Sequence, residues 1–148
     1  GCGHVGRAVA ELGHFLGYRI VVTDDRAELA TPTNIPNADL HLPGSFADVL
    51  AQSPITANTY IIMVTRNVLV DREIVPLLIH TPARYIGMMG SSRRWTVTQK
   101  LLIADGLEAN DLSRIQAPIG LEIEAETPEE IAVSILAEIT KLRRTQPA

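Results

Sequence analysis

The chain opens on Gly1-Cys2-Gly3-His4-Val5-Gly6, and this G-x-G-x-x-G run constrains the fold more than any other segment. Val5, Ala8, Val9, Leu12 and Leu16 recur at helical spacing directly after it, and Gly17 stands where a left-handed C-terminal cap belongs. A glycine loop that enters a helix presents backbone amides that can hydrogen-bond an anion, phosphate above all. Arg19-Ile20-Val21-Val22-Thr23 is a β-branched run that stops at Asp24 and Asp25, so a short buried strand follows the helix. Asp24 falls at the spacing where a carboxylate accepts hydrogen bonds from a ribose. Arg26, two residues on, suits contact with a 2′-phosphate, stacking on adenine, or a solvated surface position.

Strand and helix patterns then alternate. Ala30 to Asn37 carries Pro32, Asn34 and Pro36 and reads as an irregular connection. A weak strand is expected at Asp39 to Leu42, a short helix at Ser45 to Gln52, and the most strand-like segment at Thr59 to Thr65, which is expected at the sheet centre. Leu69 to His80 reads as a helix that Pro76 should end or kink, Arg84 to Met88 as a strand, and Arg93 to Asp105 as a helix closed by Gly106. Thr127-Pro128-Glu129-Glu130 marks a helix start with a capping box and proline at the first helical position. Ile131, Ile135, Ile139 and Leu142 make its apolar stripe, with Lys141, Arg143 and Arg144 at the negative end of its dipole. This order predicts an α/β fold: a three-layer, doubly wound parallel sheet of Rossmann type, in one domain spanning residues 1–148. Such a fold begins with a strand before the first glycine. No residue precedes Gly1, so the sequence is expected to be a piece of a longer polypeptide, its first strand lying outside it.

Composition narrows the function classes. A chain of 148 residues with 46% hydrophobic and 20% charged residues has an ordinary globular composition, neither disordered nor a disulfide scaffold. A net charge of −4 gives no general attraction to nucleic acid or to an anionic membrane. The single cysteine, Cys2, fits a reducing compartment, and no apolar stretch approaches the roughly 20 residues of a membrane span, so a cytoplasmic protein is expected.

Gly87-Met88-Met89-Gly90-Ser91-Ser92-Arg93-Arg94 repeats the logic of the opening: it leaves a strand, turns on glycine and enters a helix with hydroxyls and guanidinium groups at its mouth. Ser91, Ser92 and Arg93 are therefore candidates for a second anion anchor, and Gly90 and Thr65 are further candidates for ligand contact. Cys2 has two readings, a small loop filler or, near a helix N-terminus, a thiol of lowered pKa. His14, His41 and His80 lack partners at metal-ligand spacing, so no metal site is expected. Asp71 and Glu73 suit a helix dipole. Glu122, Glu124 and Glu126 alternate as on the solvated face of a strand. Trp95 suits core packing or stacking on a pterin.

Together, Gly1 to Gly6, Val22 to Arg26, Arg84 to Arg94, Ala117-Pro118-Ile119-Gly120-Leu121 and Thr127 to Ile139 resemble the XdhC/CoxI family, the accessory factors of xanthine dehydrogenase and carbon monoxide dehydrogenase. The likeness covers that family's C-terminal Rossmann domain. It implies a maturation role: binding and protecting molybdenum cofactor (molybdopterin) and handing it, after sulfuration, to an apo-molybdoenzyme of the xanthine dehydrogenase type, with a cysteine desulfurase as a further partner and a homodimer as a possible assembly. Members act as carriers rather than catalysts, so no catalytic residue is assigned. Ligand contacts are expected at Gly1, Gly3, His4, Val5, Gly6, Asp24, Asp25, Arg26, Thr65, Gly90, Ser91, Ser92 and Arg93, the ligand being molybdopterin, NAD or NADP. The family's N-terminal domain, with its cysteine implicated in cofactor binding, is not in this sequence. Val68 stands where the family often has histidine, and Glu122 and Glu124 where it often has Asp and Gly.

Two other readings share the glycine loop. An NAD(P)-dependent oxidoreductase would need a substrate domain with a proton donor, and none is evident. A regulatory NAD-binding sensor of the kind fused to potassium transporters shares a similar loop but not the Thr127 to Ile139 segment.

Overall fold

The computed structural model describes residues 1–146, and its contacts group them into two compact units: residues 1–53 with 120–146, and residues 54–119.

The first unit holds α1 (His4–Phe15), β1 (Val21–Asp24), β2 (Leu40–Pro43), α2 (Phe46–Gln52) and a C-terminal helix, α6 (Pro128–Thr145). β1 and β2 pair in parallel, Val21 opposite Leu40 and Asp24 opposite Pro43. The buried face of α1 is Gly6, Ala8, Val9, Ala10 and Gly13, small side chains that leave room for α6 to pack against it. Cys2, Ala10, Val22, Ala30 and Ile35 form a core beneath the opening loop. The capping box of α6 is present in full: Thr127 Oγ1 accepts from the Glu130 amide at 3.2 Å, and Glu130 Oε2 accepts from the Thr127 amide at 3.0 Å. The Thr127 amide, with the Glu126 amide that donates to the same oxygen at 2.8 Å, holds the Glu130 carboxyl below its ordinary pKa. Gly120 and Leu121 dock onto α6 through backbone groups. The Gly120 amide donates to Glu138 Oε2 at 2.8 Å, the Leu121 amide donates to the Ser134 carbonyl at 3.2 Å, and Ser134 Oγ donates to the Leu121 carbonyl at 2.5 Å. A Cβ on Gly120 would collide with Ser134 Oγ, which explains the glycine.

The second unit holds β3 (Tyr60–Met63), α3 (Val68–Leu78), β4 (Tyr85–Met88), α4 (Ser92–Ala104), a short α5 (Ala109–Leu112) and β5 (Ile115–Gln116). Its parallel sheet has the order β3-β4-β5. The central strand is therefore β4, all four residues of which are buried; the expectation that the Thr59 to Thr65 segment lies at the centre is corrected, since β-propensity reports burial and packing but not the number of neighbours. Val75, Leu78, Ile86, Met88, Leu102 and Leu112 are almost wholly buried.

The α/β reading with parallel strands thus holds, with the strands shared between two sheets. Gly17 and Gly106 take left-handed backbone (φ +85° and +101°) and close α1 and α4 with the same pair of hydrogen bonds, as their positions predict. Two local readings are revised and two short elements went unread. α3 continues through Pro76 and ends at Leu78. Glu122 to Glu126 forms no strand, because Glu124 adopts φ +56° and breaks the extended alternation. α5 and β5 carry too few residues for a periodic signal. No helix among the described residues is long and apolar enough to cross a membrane.

Candidate functional site

β1 delivers Asp24 to the start of the first unit's glycine loop. Its carboxylate is buried, 5% exposed, and faces the loop: the Cys2 amide donates to Oδ2 at 2.8 Å. Arg26 takes the rest of the carboxylate, its amide donating to Oδ1 at 2.9 Å, Nε to Oδ1 at 3.0 Å and Nη2 to Oδ2 at 3.1 Å. Burial alone would raise the pKa of Asp24, but the bonds from the Arg26 side chain and from the amides of Cys2 and Arg26 outweigh it and hold the carboxyl well below the usual range. On the other side of Cys2, Asn34 Nδ2 donates to the Cys2 carbonyl and to the Leu29 carbonyl, each at 2.8 Å. Both peptide groups flanking Cys2 are thereby fixed. Its thiol lies in the core and donates to the Thr23 carbonyl at 3.4 Å. Burial pushes the thiol pKa up, so the small-filler reading of Cys2 fits and the lowered-pKa reading does not.

Past this clamp the chain turns into α1 with Gly3 as N-cap, no side chain capping the first turn and no acidic residue in it. The amides of the opening turn of a helix have no intrahelical acceptor. Gly3 has an ordinary φ of −73°, and a Cβ built there would meet nothing within 4 Å. The fold itself therefore does not demand glycine at this position. The structure places Val5 and Gly6 in the same turn and His4 at its exposed edge, where His4, Arg7, Ala8 and Glu11 line a cleft of about 310 Å³ with Pro128 and Glu129 of α6. Gly1 and Asp25 are exposed beside the loop.

The second glycine turn is built differently. Ser91 caps α4, its Oγ accepting from the Arg94 amide at 3.1 Å. Arg94 turns inward. Its Nε and Nη2 donate to Asp71 Oδ2 at 2.9 and 2.7 Å, its Nη1 to the Thr65 carbonyl at 3.1 Å and its Nη2 to Thr65 Oγ1 at 2.7 Å. Asp71 is fully buried and also accepts from the Thr65 hydroxyl. Two expectations change here. Asp71 serves a buried ion pair rather than mainly the helix dipole, and Arg94 is not offered to an anion at the mouth. Thr65 is buried with its hydroxyl and carbonyl engaged inside the fold; Ser92 and Arg93 remain exposed, and Gly90 is half-buried under Arg94. Trp95 is half-buried.

Sequence reasoning did not find Asn34, Asp71 and Arg94 as partners, or Arg114, which donates to the carbonyls of Ile79, Thr81 and Ala83 after α3. Such pairings, 23 to 35 residues apart in the case of Arg94 and Arg114, leave no local pattern. Among the described residues no group of three or more His, Cys, Asp or Glu side chains is placed to hold a metal ion.

A family model described as the XdhC Rossmann domain matches residues 1–139. The chain belongs to the XdhC family. The XdhC domain is 34% identical over 148 residues to YqeB, an uncharacterized protein of Escherichia coli, covering 99% of this chain and 27% of that protein. It is 32% identical over 136 residues to a Bacillus subtilis protein named as a probable xanthine dehydrogenase subunit, covering 92% of this chain and 39% of that protein. A crystal structure described as a xanthine dehydrogenase from Bacillus halodurans superposes with a TM-score of 0.87 at 29% identity, over 99% of this chain and 43% of that one. The XdhC domain here thus spans less than half the length of each of these relatives, and its Rossmann-like fold is shared with the solved structure.

Proposed function

We propose that this XdhC domain binds the phosphate of a nucleotide or of molybdopterin at the mouth of α1, as part of an accessory factor that protects molybdenum cofactor and delivers it to an apo-enzyme of the xanthine dehydrogenase type. Gly3 carries the reading. It is the N-cap of a helix without a side-chain cap, it has ordinary backbone, and space stands where its Cβ would be. A glycine that neither strain nor internal packing requires is explained by something outside the fold that must come close to the backbone, and an anion at a helix N-terminus is the ligand such a mouth favours. The amides of the uncapped first turn of α1 fit the phosphate end of either ligand, and the space beside Gly3 is open.

In this reading the amides of Gly3, His4, Val5 and Gly6 supply the hydrogen bonds, and Asp24 and Asn34 orient the loop. When bound, molybdenum cofactor would bring the redox chemistry used by the client enzyme; the residues of this chain bind and shield. The names of the Bacillus relatives support an enzyme of the xanthine dehydrogenase type as client; a cysteine desulfurase as the source of the sulfur and a second copy of the chain as assembly partner belong to the same proposal. Purifying the domain within its natural polypeptide and identifying the co-purifying small molecule by mass spectrometry tests the proposal. A molybdopterin mass supports delivery, NAD or NADP alone redirects it to a nucleotide-dependent role, and binding of none of these overturns it.

A further inference from the structure

A carboxylate closing the strand after a glycine loop is ordinarily read as the acceptor for a ribose diol. The geometry of Asp24 leaves that role no room. An ionised carboxylate offers about four lone-pair positions. Four hydrogen bonds already reach this one: the Cys2 amide and Arg26 Nη2 on Oδ2, the Arg26 amide and Arg26 Nε on Oδ1. The Arg26 fork engages both oxygens side-on, and the paired groups offset each other's charge. Asp24 is 2% exposed in its side chain while Arg26 is 40% exposed, so the carboxylate is shielded and its arginine partner is the more accessible of the two.

We infer that Asp24 is a positioning residue that braces the Cys2 amide and Arg26, and that the site therefore selects a phosphate-ended ligand without reading a vicinal diol. The inference rests on the phosphate-binding reading above and deepens it by naming the ligand class: compounds held through phosphate whether or not a ribose accompanies it, pterin phosphates included. Arg26 is the specificity determinant, because its fork is what occupies the acceptors a diol would need.

The test is calorimetric titration of the chain with three probes: ADP, 2′,3′-dideoxyadenosine 5′-diphosphate and inorganic pyrophosphate. ADP and the dideoxy compound are expected to bind within about threefold of each other, since a site without a free acceptor gains nothing from the hydroxyls, whereas a site built to bond a hydroxyl rejects its absence strongly. ADP binding tenfold or more tighter than its dideoxy counterpart would overturn the inference while leaving phosphate binding intact; failure of all three probes to bind would overturn the phosphate reading itself. Arg26→Ala supplies a second readout. Removing the fork exposes acceptors on Asp24, so the ADP to dideoxy preference is expected to rise to about tenfold or more, as for a hydrogen bond to a charged group. A ratio that stays near one in a folded Arg26→Ala protein removes Arg26 as the determinant. The wild-type comparison decides the inference even where the variant does not fold.

Discussion

The two glycine turns differ in what their cations and carboxylates do. At the first, the acidic partner Asp24 lies behind the loop and holds a backbone amide, and the helix starts with no side chain over it. At the second, Ser91 caps the helix and Arg94, the cation whose amide meets that cap, is folded back onto a buried aspartate. Similar strings of glycine and small polar residues thus produce one helix start left without a side-chain cap and one whose charges are satisfied internally. A helix start becomes a binding feature when the protein declines to cap it, and composition alone does not show that choice.

The sharpest way to break this contrast is Arg94→Ala. Asp71 is fully buried, so stripping its partner leaves an uncompensated charge and should lower the unfolding free energy by about 3–5 kcal/mol, read by urea denaturation. Replacing both partners, Asp71→Leu with Arg94→Met, is expected to recover much of the loss. A change under about 1 kcal/mol for Arg94→Ala would mean that the second mouth is not internally committed.

Gly3→Val probes the other side. With no atom within 4 Å of the new Cβ and extended backbone at the N-cap, stability should change by no more than about 1 kcal/mol, while affinity for pyrophosphate falls at least about tenfold. The same loss of affinity accompanied by unfolding would return Gly3 to a structural role.

Asp24→Asn separates the clamp from the mouth through pH. The carboxyl titrates below its ordinary value of 3.8 when folded, so its contribution is complete above the unfolded pKa and disappears as pH falls through the folded one. At pH 7 the variant should be less stable by roughly 1–3 kcal/mol, as for hydrogen bonds to a charged group, and the gap between the two proteins should narrow on acidification below about pH 4. A gap that is constant with pH would show that the charge of Asp24 is not what holds the loop.

Arg72→Ala is the smallest effect and the control. It sits next to Asp71 in sequence and pairs with Asp105 at 2.5 Å, but both side chains are well exposed, and the thermal midpoint should not move measurably, in low salt or high.

The helices were largely legible because their ends are written in side chains: Ser45, Thr127 and Glu130 at the starts, Gly17 and Gly106 at the finishes. The opening loop was legible for the same reason, but the role of Asp24 was not: its spacing suggests a ribose acceptor, whereas its carboxylate takes the amide of Cys2, 22 residues away in sequence. The strand order was not, since β5 pairs through only two residues with β4 and nothing in Ile115-Gln116 announces it. The direction of Arg94 was not legible either: it depends on a carboxylate 23 residues earlier, and an arginine in a first helical turn reads alike whether it faces solvent or folds inward. Asn34 looked like one more turn-former in a proline-rich connection, and only the tertiary structure brings its amide to the Cys2 carbonyl.

The first unit is assembled from two stretches of chain with residues 54–119 between them. During synthesis the glycine loop therefore emerges before that intervening stretch, and the helix that covers the small-residue face of α1 leaves the ribosome after it. Until Thr127 and the turns that follow are made, the loop rests on an unfinished scaffold, so under the proposed phosphate-binding reading loading would follow completion of the unit.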